Sequence, residues 1–255
     1  MSNYFAYIAR GDVVFMEENL RKRTILRREI TSNYLGEIRS YKLYLPPGYN
    51  PDQAYPILYA QDGEQFLNFG RGATAAQEMI LSGKLYPFII AAVTVSRENR
   101  TSEYGTNRSR NGLYKSFFIE ELMPTVEREV RVSQRVLAGD SLGGTISLDL
   151  ALEHPELFSH VLSLSGAFYP EVMKGVLRKP ELRTLTIYML IGLDETAVPV
   201  WDGTADFLAL NREMKSLLEE RGASVTYVER SGGHDWGFWQ RELPDALTFS
   251  FGVLK

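Results

Sequence analysis

The segment Gly139-Asp140-Ser141-Leu142-Gly143-Gly144 places a serine between glycines two positions before and two positions after it. It follows an apolar run at 135–138 and opens a helical pattern at 145–152. A strand, a sharp turn and a helix in this order are typical of a nucleophile elbow, which lifts the serine hydroxyl above the sheet. The glycines let strand and helix approach closely. The segment therefore predicts a nucleophile at Ser141; the alternative is a glycine-rich turn with an incidental serine.

A serine hydroxyl is a weak nucleophile until a base removes its proton, and histidine is the usual base because its pKa lies near working pH. The chain has three histidines. His154 precedes a proline at the end of the elbow helix, and His160 begins a predicted strand. His234 follows the predicted strand at 224–229, in a loop that can reach over the elbow. We predict His234 as the base, with a structural histidine as the alternative.

The base needs a carboxylate that holds its tautomer and stabilises the imidazolium. Asp194 is the first carboxylate after the predicted strand at 185–191, and Glu195 is its neighbour. The chain order serine, acid, histidine is that of α/β hydrolases. Loop geometry favours Asp194 as the acid, and Glu195 is the alternative.

A tetrahedral oxyanion needs two hydrogen-bond donors. The N–H of Leu142 follows the nucleophile at a helix N-terminus, where negative charge is stabilised. The second donor should come from the loop after the strand at 55–61. We expect it to be the backbone N–H of Gly63 or of Glu64, although an Asp-Gly pair is also common in plain turns.

The elements that must position these residues alternate along the chain. Strand-like segments fall at about 24–30, 37–45, 55–61, 88–95, 135–139, 160–165, 185–191 and 224–229. Helical patterns lie between them, for example over 114–131 and 207–218. The first two strands alternate in polarity and the later ones are continuously apolar, as expected for antiparallel edge strands and for strands covered on both faces. The pattern predicts an α/β fold: a doubly wound, mostly parallel sheet of about eight strands flanked by helices.

The spacing also limits the size of the fold. About 20 residues separate Ser165 from the strand that begins near Leu185, too few for a large cap domain. The chain has 255 residues and no linker or repeat, so we expect a single domain over 1–255, with 1–40 as an N-terminal extension and edge strands. An open cleft is then expected rather than a tunnel.

Composition excludes several classes of function. The net charge of −4 argues against a general nucleic-acid binder. Cysteine is absent, which rules out disulfides and a thiolate nucleophile, and the three histidines show no metal-binding spacing, so we expect no metal and no cofactor. The N-terminus lacks the pattern of a signal peptide, and the longest apolar run, near 88–93, is too short to span a bilayer. The expected protein is cytoplasmic and does not bind membranes.

Two groups of residues could contact a substrate. The segment 97–110 carries four arginines at the ligand-binding edge of the sheet, and Arg100 and Arg108 are the leading candidates for binding an anionic group. The alternative is a solvated loop. Aromatic residues could line the cleft or belong to the core. The candidates are Trp201, Trp236 and Phe168, with Tyr169 and Trp239 as further members.

These motifs together resemble the Putative esterase family of α/β hydrolases, and within it the enterochelin (ferric-siderophore) esterase-like branch. The resemblance covers about residues 40–240. It rests on Asp62-Gly63, Glu121-Leu122-Met123-Pro124, the elbow segment, His154-Pro155-Glu156-Leu157-Phe158, Leu164-Ser165-Gly166 and Gly233-His234-Asp235-Trp236 with Trp239. It implies a serine carboxylesterase that needs no cofactor, and in the siderophore branch cleavage of the ester backbone of a tri-catecholate lactone. The longer enterochelin esterases carry an N-terminal domain, whereas only about 40 residues precede the core here.

The leading hypothesis is therefore hydrolysis of a small-molecule ester by Ser141, His234 and Asp194. The same acyl-enzyme would serve an acyltransferase or a peptidase, and sequence does not separate these reactions. A third hypothesis is an α/β-hydrolase scaffold that binds without catalysis. Such scaffolds usually lose a member of the triad, whereas all three candidates are present here.

Overall fold

The computed structural model describes residues 22–200 and 203–253. Within these residues an eight-stranded sheet has the order β1-β2-β4-β3-β5-β6-β7-β10, and β8 and β9 form a separate hairpin. The strands are β1 Thr24–Ser32, β2 Glu37–Leu45, β3 Tyr55–Ala60, β4 Ile89–Val93, β5 Val132–Asp140, β6 His160–Leu164, β7 Thr186–Gly192, β8 Val198–Val200, β9 Gly203–Ala205 and β10 Ser224–Arg230.

The sheet is mostly parallel. β1 pairs antiparallel with β2, and β2 pairs antiparallel with β4. The five remaining pairings in this sheet are parallel. All five residues of β4 are buried, as expected for a continuous apolar run between two layers of helices. The predicted α/β-hydrolase fold, with about eight strands, is confirmed.

Helices cover both faces of the sheet. They are α1 Gly63–Asn68, α2 Gly72–Leu81, α3 Arg100–Tyr104, α4 Asn111–Ser116, α5 Met123–Glu129, α6 Leu142–Glu153, α7 Pro170–Leu177, α8 Phe207–Glu220 and α9 Trp236–Phe251. One hydrophobic core joins the sheet to α3 through α8, and a second joins it to α1, α2 and α9. Alternate residues of β3 supply the two cores, with Ile57 and Tyr59 in the first and Leu58 and Ala60 in the second.

The helix predicted over 114–131 is interrupted. A π-helical segment, Phe117–Leu122, joins α4 to α5. The change of hydrogen-bond pattern falls next to Pro124, which has no N–H to continue an α-helical ladder. The apolar positions still face the core, because Phe117, Phe118 and Leu122 are all fully buried.

The connections at the carboxyl edge are short. Between β6 and β7 the chain carries one eight-residue helix, α7, so this crossover holds no large cap. Within 22–200 and 203–253, every helix is too short or too polar to cross a bilayer. The part of the predicted N-terminal extension before residue 22 lies outside the described residues.

Candidate active site

Ser141 occupies the sharp turn between β5 and α6. Its φ is 53°, a left-handed conformation that costs a non-glycine residue free energy and is typical of functional sites. A Cβ atom at position 139 would lie 2.3 Å from the carbonyl carbon of Gly143, so only glycine allows strand and helix to approach this closely. The Ser141 N–H donates to the Leu164 carbonyl at 2.9 Å, which ties the turn to β6. This is the elbow geometry that the sequence predicts.

Ser141 and His234 line one cavity of about 540 Å³ at the carboxyl edge of the sheet. Its other lining residues are Thr101, Gly105, Thr106, Asn107, Arg108, Leu142, Thr145, Ala167, Tyr169, Glu171, Val172, Val198, Pro199, Val200 and Phe207. No hydrogen bond joins the Ser141 hydroxyl to His234 within the described residues. Catalytic hydrogen bonds are often long before a substrate binds.

His234 pairs with Glu195 and not with Asp194. The Nδ1 atom of His234 lies 2.7 Å from Oε2 of Glu195, whose side chain is fully buried. Asp194 is exposed, so the expectation that the first carboxylate after β7 would be the acid is wrong. With Nδ1–H donating to Glu195, Nε2 is the ring nitrogen that can accept a proton.

The tight turn after β7 explains this choice. The Asp194 N–H donates to the Gly232 carbonyl at 3.1 Å, and the Glu195 N–H donates to the Gly192 carbonyl at 3.2 Å. The Glu195 side chain folds back so that Oε1 accepts from the Gly192 N–H at 2.9 Å. A Cβ atom at position 192 would lie 2.8 Å from Oε1, so glycine is required where the carboxylate returns.

Two further side chains complete a buried group that we term the carboxylate network: Glu195, His234, Ser165 and Trp239. Ser165 Oγ donates to Glu195 Oε1 at 2.6 Å and accepts from Trp239 Nε1 at 2.8 Å. The edge-to-face contacts of Phe207 and Trp239 with the His234 ring have centroid distances of 4.6 and 4.9 Å. The imidazole is therefore fixed by one hydrogen bond and by contacts with two aromatic rings.

A second group, which we term the arginine cluster, consists of Asp62 after β3, Arg100 at the start of α3 and Asp140 at the end of β5. Arg100 donates from Nε to Asp62 Oδ1 and from Nη2 to Asp62 Oδ2, both at 2.8 Å. Its Nη2 also donates to the Asp140 carbonyl at 3.2 Å. The expectation that Arg100 contacts substrate is therefore wrong: its guanidinium compensates a buried carboxylate and ties the loop after β3 to the elbow.

Asp140 gives the arginine cluster an excess of acid. Its Oδ2 lies 3.8 Å from Arg100 Nη2, and its Oδ1 has no hydrogen-bond partner in the described part of the chain. Burial, followed by the charge of Asp62, raises the pKa of Asp140 to about 8, although Arg100 opposes the shift. Asp140 is therefore mostly protonated at neutral pH.

Of the predicted oxyanion donors, Leu142 lies at the cavity, whereas Gly63 and Glu64 do not line it. Leu142 begins α6 and lines the cavity. Gly63 begins α1 and packs on the backbone of Ala92 and Val93, where an added Cβ would clash at 2.3 Å. The exposed Glu64 carboxylate pairs with Lys42 at 2.8 Å. Neither Gly63 nor Glu64 is among the cavity-lining residues, so the second donor stays a prediction.

Of the remaining candidates for substrate binding, Arg108 lines the cavity, whereas Phe168 and Trp236 do not. Arg108 lines the cavity, is exposed, and has no ion-pair partner within the described residues. Phe168 is fully buried in the core, and Trp236 packs edge-to-face on Phe66 and Trp239; neither lines the cavity, so both expectations are wrong. Trp201 lies outside the described residues.

Several cavity residues were not predicted from the sequence. Phe207 was assigned only to the apolar face of α8, and Val198 and Val200 belong to a hairpin that no sequence pattern marked. Tyr169, named among the aromatic candidates, does line the cavity. The described residues contain no group of three or more histidine and acidic side chains that could hold a metal ion.

Comparison with known proteins identifies the family of this chain. The model of the family described as "Putative esterase" matches residues 32–250. The chain is 32% identical over 230 residues to the uncharacterized protein YjcH of Bacillus subtilis (strain 168), covering 88% of this chain and 96% of YjcH. The chain therefore belongs to the Putative esterase family.

Solved structures show the same fold at low identity. A ferulic acid esterase superposes with a TM-score of 0.77 at 22% identity, covering 89% of this chain and 97% of that one. The enterobactin esterase FES from Shigella flexneri superposes with a TM-score of 0.76 at 21% identity, covering 88% of this chain. The match spans 57% of the Shigella chain, so that esterase is considerably longer.

Proposed function

We propose that this member of the Putative esterase family is a serine carboxylesterase with Ser141 as nucleophile, His234 as general base and Glu195 as the acid. One observation carries the proposal: the 2.7 Å contact from His234 Nδ1 to the fully buried Glu195 carboxylate, in a cavity that Ser141 also lines. A buried carboxylate held against an imidazole beside an elbow serine is the arrangement that activates a hydroxyl.

Each group has one task in the proposed reaction. Ser141 Oγ attacks the ester carbonyl carbon while His234 Nε2 takes the hydroxyl proton. Glu195 keeps the Nδ1–H and stabilises the imidazolium that forms. The Leu142 N–H donates to the carbonyl oxygen as it becomes negative.

The tetrahedral intermediate then collapses. His234 returns the proton to the leaving alcohol oxygen, and the acyl group stays on Ser141 as an ester. Water attacks this acyl-enzyme while His234 takes its proton. His234 then returns the proton to Ser141 Oγ as the bond from Oγ to the acyl carbon breaks, which releases the carboxylic acid. Ser141 is partly exposed, so water can reach the acyl-enzyme.

The proposed substrates are esters with an aromatic or polar acyl group. The cavity combines the aromatic side chains Tyr169 and Phe207 with the aliphatic Val198 and Val200, and Arg108 lies at its exposed side. The names of the two solved relatives give ferulic acid and enterobactin as what those esterases act on, and esters of these two kinds are the substrates proposed here. Comparing kcat/KM for methyl ferulate and for a tri-catecholate lactone distinguishes them.

The proposal is tested by hydrolysis of short p-nitrophenyl esters by the wild type and by Ser141→Ala. We expect the wild type to turn over and to react covalently with a fluorophosphonate, and the variant to do neither. A wild type that hydrolyses no ester and does not react with the fluorophosphonate would indicate a binding scaffold. Offering alcohol or amine to the trapped acyl-enzyme separates hydrolysis from acyl transfer.

A further inference from the structure

We propose that Ser165 and Trp239 are positioning residues that hold the Glu195 carboxylate in the one orientation in which it can hold His234. The proposal deepens the function proposed above and rests on it. It assigns a task to two buried polar side chains that lie behind the cavity wall, and neither of them lines the cavity.

Both oxygens of the Glu195 carboxylate accept hydrogen bonds inside the protein. Glu195 is fully buried, so each of its oxygens needs a donor from the protein. Oε2 accepts from His234 Nδ1, and Oε1 accepts from the Ser165 hydroxyl at 2.6 Å and from the Gly192 N–H at 2.9 Å. Ser165 is thus the side chain that opposes His234 across the carboxylate.

The two hydrogen bonds of the Ser165 hydroxyl have a fixed direction. An indole N–H can only donate, so Ser165 Oγ must accept from Trp239 Nε1 at 2.8 Å. A hydroxyl carries one hydrogen, and Ser165 uses it toward Glu195. The chain from Trp239 through Ser165 to Glu195 therefore has one polarity, and bonds in such a chain strengthen one another.

The backbone at Ser165 has an unfavourable conformation. Its φ is 48°, a left-handed conformation that costs a non-glycine residue free energy. Its N–H donates to the Leu190 carbonyl at 2.7 Å, so the turn after β6 is bonded to β7 just before the Glu195 turn. Glycine would relieve the strain but would remove the hydroxyl, which is consistent with a requirement for the hydroxyl.

Trp239 also links the network to the base. Its ring packs edge-to-face on His234, and it lies in the first turn of α9, whose N-cap Asp235 directly follows His234. One side chain thus contacts the imidazole with its ring and orients the opposing donor with its N–H.

The test uses Ser165→Ala, Trp239→Phe and a matched control, Ser163→Ala. Ser163 is also a fully buried serine, two residues earlier on β6, and its hydroxyl has no hydrogen-bond partner within the described residues. Trp239→Phe keeps an aromatic ring beside His234 and removes the indole N–H together with part of the ring volume. For Ser165→Ala we expect kcat for a p-nitrophenyl ester to fall about tenfold or more, as for loss of a bond to a charged group, with KM unchanged.

A double-mutant cycle tests the direction of the chain. Because Trp239 acts through Ser165, the double variant Ser165→Ala/Trp239→Phe should have the same kcat as Ser165→Ala alone. Fully additive losses would overturn the proposed relay. Equal losses in Ser163→Ala and Ser165→Ala would also overturn it, because they would show a packing effect only.

A second measurement does not depend on turnover. The Nδ1–H proton of His234 in a hydrogen bond to a buried carboxylate should give a far-downfield proton NMR resonance. We expect it to move or broaden in Ser165→Ala and Trp239→Phe and to be unchanged in Ser163→Ala. If the resonance responds in this way but the wild type hydrolyses no ester, the positioning stands and the proposed function fails. An unchanged resonance in Ser165→Ala overturns the positioning.

Discussion

The two buried polar clusters beside Ser141 handle negative charge in different ways. The arginine cluster, at the carboxyl ends of β3, β4 and β5, combines two carboxylates with one guanidinium. The carboxylate network, after β6, β7 and β10, combines one carboxylate with neutral donors and one imidazole. In the first cluster, burial raises the pKa of the surplus acid, Asp140, which favours its neutral form; in the second, each oxygen of the Glu195 carboxylate has a donor.

The two clusters therefore have different tasks. The arginine cluster holds a loop in place, and the carboxylate network orients the general base. When one partner of a buried ion pair is removed, the other charge stays inside the protein without compensation, and the free energy of unfolding falls. A carboxylate that accepts several directed hydrogen bonds is held in one orientation. It can then hold the imidazole of the general base in one tautomer. We therefore expect damage to the arginine cluster to lower stability and damage to the carboxylate network to lower the rate.

The largest expected effect is from Glu195→Gln. The amide places an N–H₂ group where the carboxylate accepts from His234 Nδ1, which favours the wrong imidazole tautomer, so we expect kcat to fall about 10³- to 10⁴-fold. Ester hydrolysis at saturating substrate measures this. Asp194→Asn is the control and should keep wild-type kcat, because the side chain is exposed; the opposite ranking would restore Asp194 as the acid.

The next effect is on the fold, from Arg100→Met. The change leaves Asp62 and Asp140 buried without a guanidinium, and we expect the free energy of unfolding to fall by about 3 kcal/mol. Urea denaturation measures it. Arg183→Met is the control: its pair with Glu181 is largely exposed, and its loss should cost about 0.5 kcal/mol or less. Equal losses in the two variants would contradict a structural task for the arginine cluster.

A smaller effect is the pH dependence that Asp140 gives to stability. Burial raises the pKa of Asp140 to about 8, so between about pH 4 and 8 the native state holds a proton that the unfolded chain has released. The free energy of unfolding should therefore fall as pH rises, by about 1 kcal/mol per unit from this group. Asp140→Asn should remove this slope.

The range from pH 6 to 8 isolates Asp140 from a second buried acid. Burial also raises the pKa of Asp149, to about 6, so its contribution is confined to lower pH. Asp149→Asn should then change the pH dependence of stability only below about pH 6. Urea denaturation of wild type and both variants at several pH values measures this. A slope that persists in Asp140→Asn between pH 6 and 8 would show that another group carries it.

The smallest effect sharpens the comparison between two arginines of one segment. Arg100 pairs with Asp62 in the arginine cluster, whereas Arg108 lines the cavity and has no ion-pair partner in the described ranges. Arg108→Ala should raise KM about five- to tenfold for an anionic ester, the loss of one charge-assisted contact, and should leave KM for a neutral ester unchanged. Equal changes for both esters would indicate that Arg108 shapes the cavity and does not recognise charge.

Residues whose tasks depend on local backbone could be predicted. The glycines around Ser141 are needed because a Cβ at position 139 would overlap the next helix, a requirement that a short segment displays by itself. His234 was predictable because it follows β10 at the carboxyl edge, where the ends of parallel strands meet. Both residues line the same cavity.

Residues whose tasks depend on which side chain turns inward could not be predicted in the same way. Asp194 and Glu195 are adjacent and chemically alike, and only the turn that bonds Asp194 to Gly232 sends Glu195 into the protein. Ser165 and Trp239 are 74 positions apart in the sequence, so no local pattern could show that they share a hydrogen bond.

The sequence by itself determined the order of the eight strands of the main sheet and the elbow at Ser141, because these follow from periodicity and from steric requirements within a few residues, and its motifs carried the resemblance to the family. Only the tertiary structure decided that Glu195 holds His234, that Arg100 pairs with Asp62 while Arg108 lines the cavity, and that Phe207 lines the cavity in place of Phe168. The reason is physical: burial and hydrogen-bond partners are set by segments distant in the chain, and residues of one type differ only in the surroundings that these segments provide.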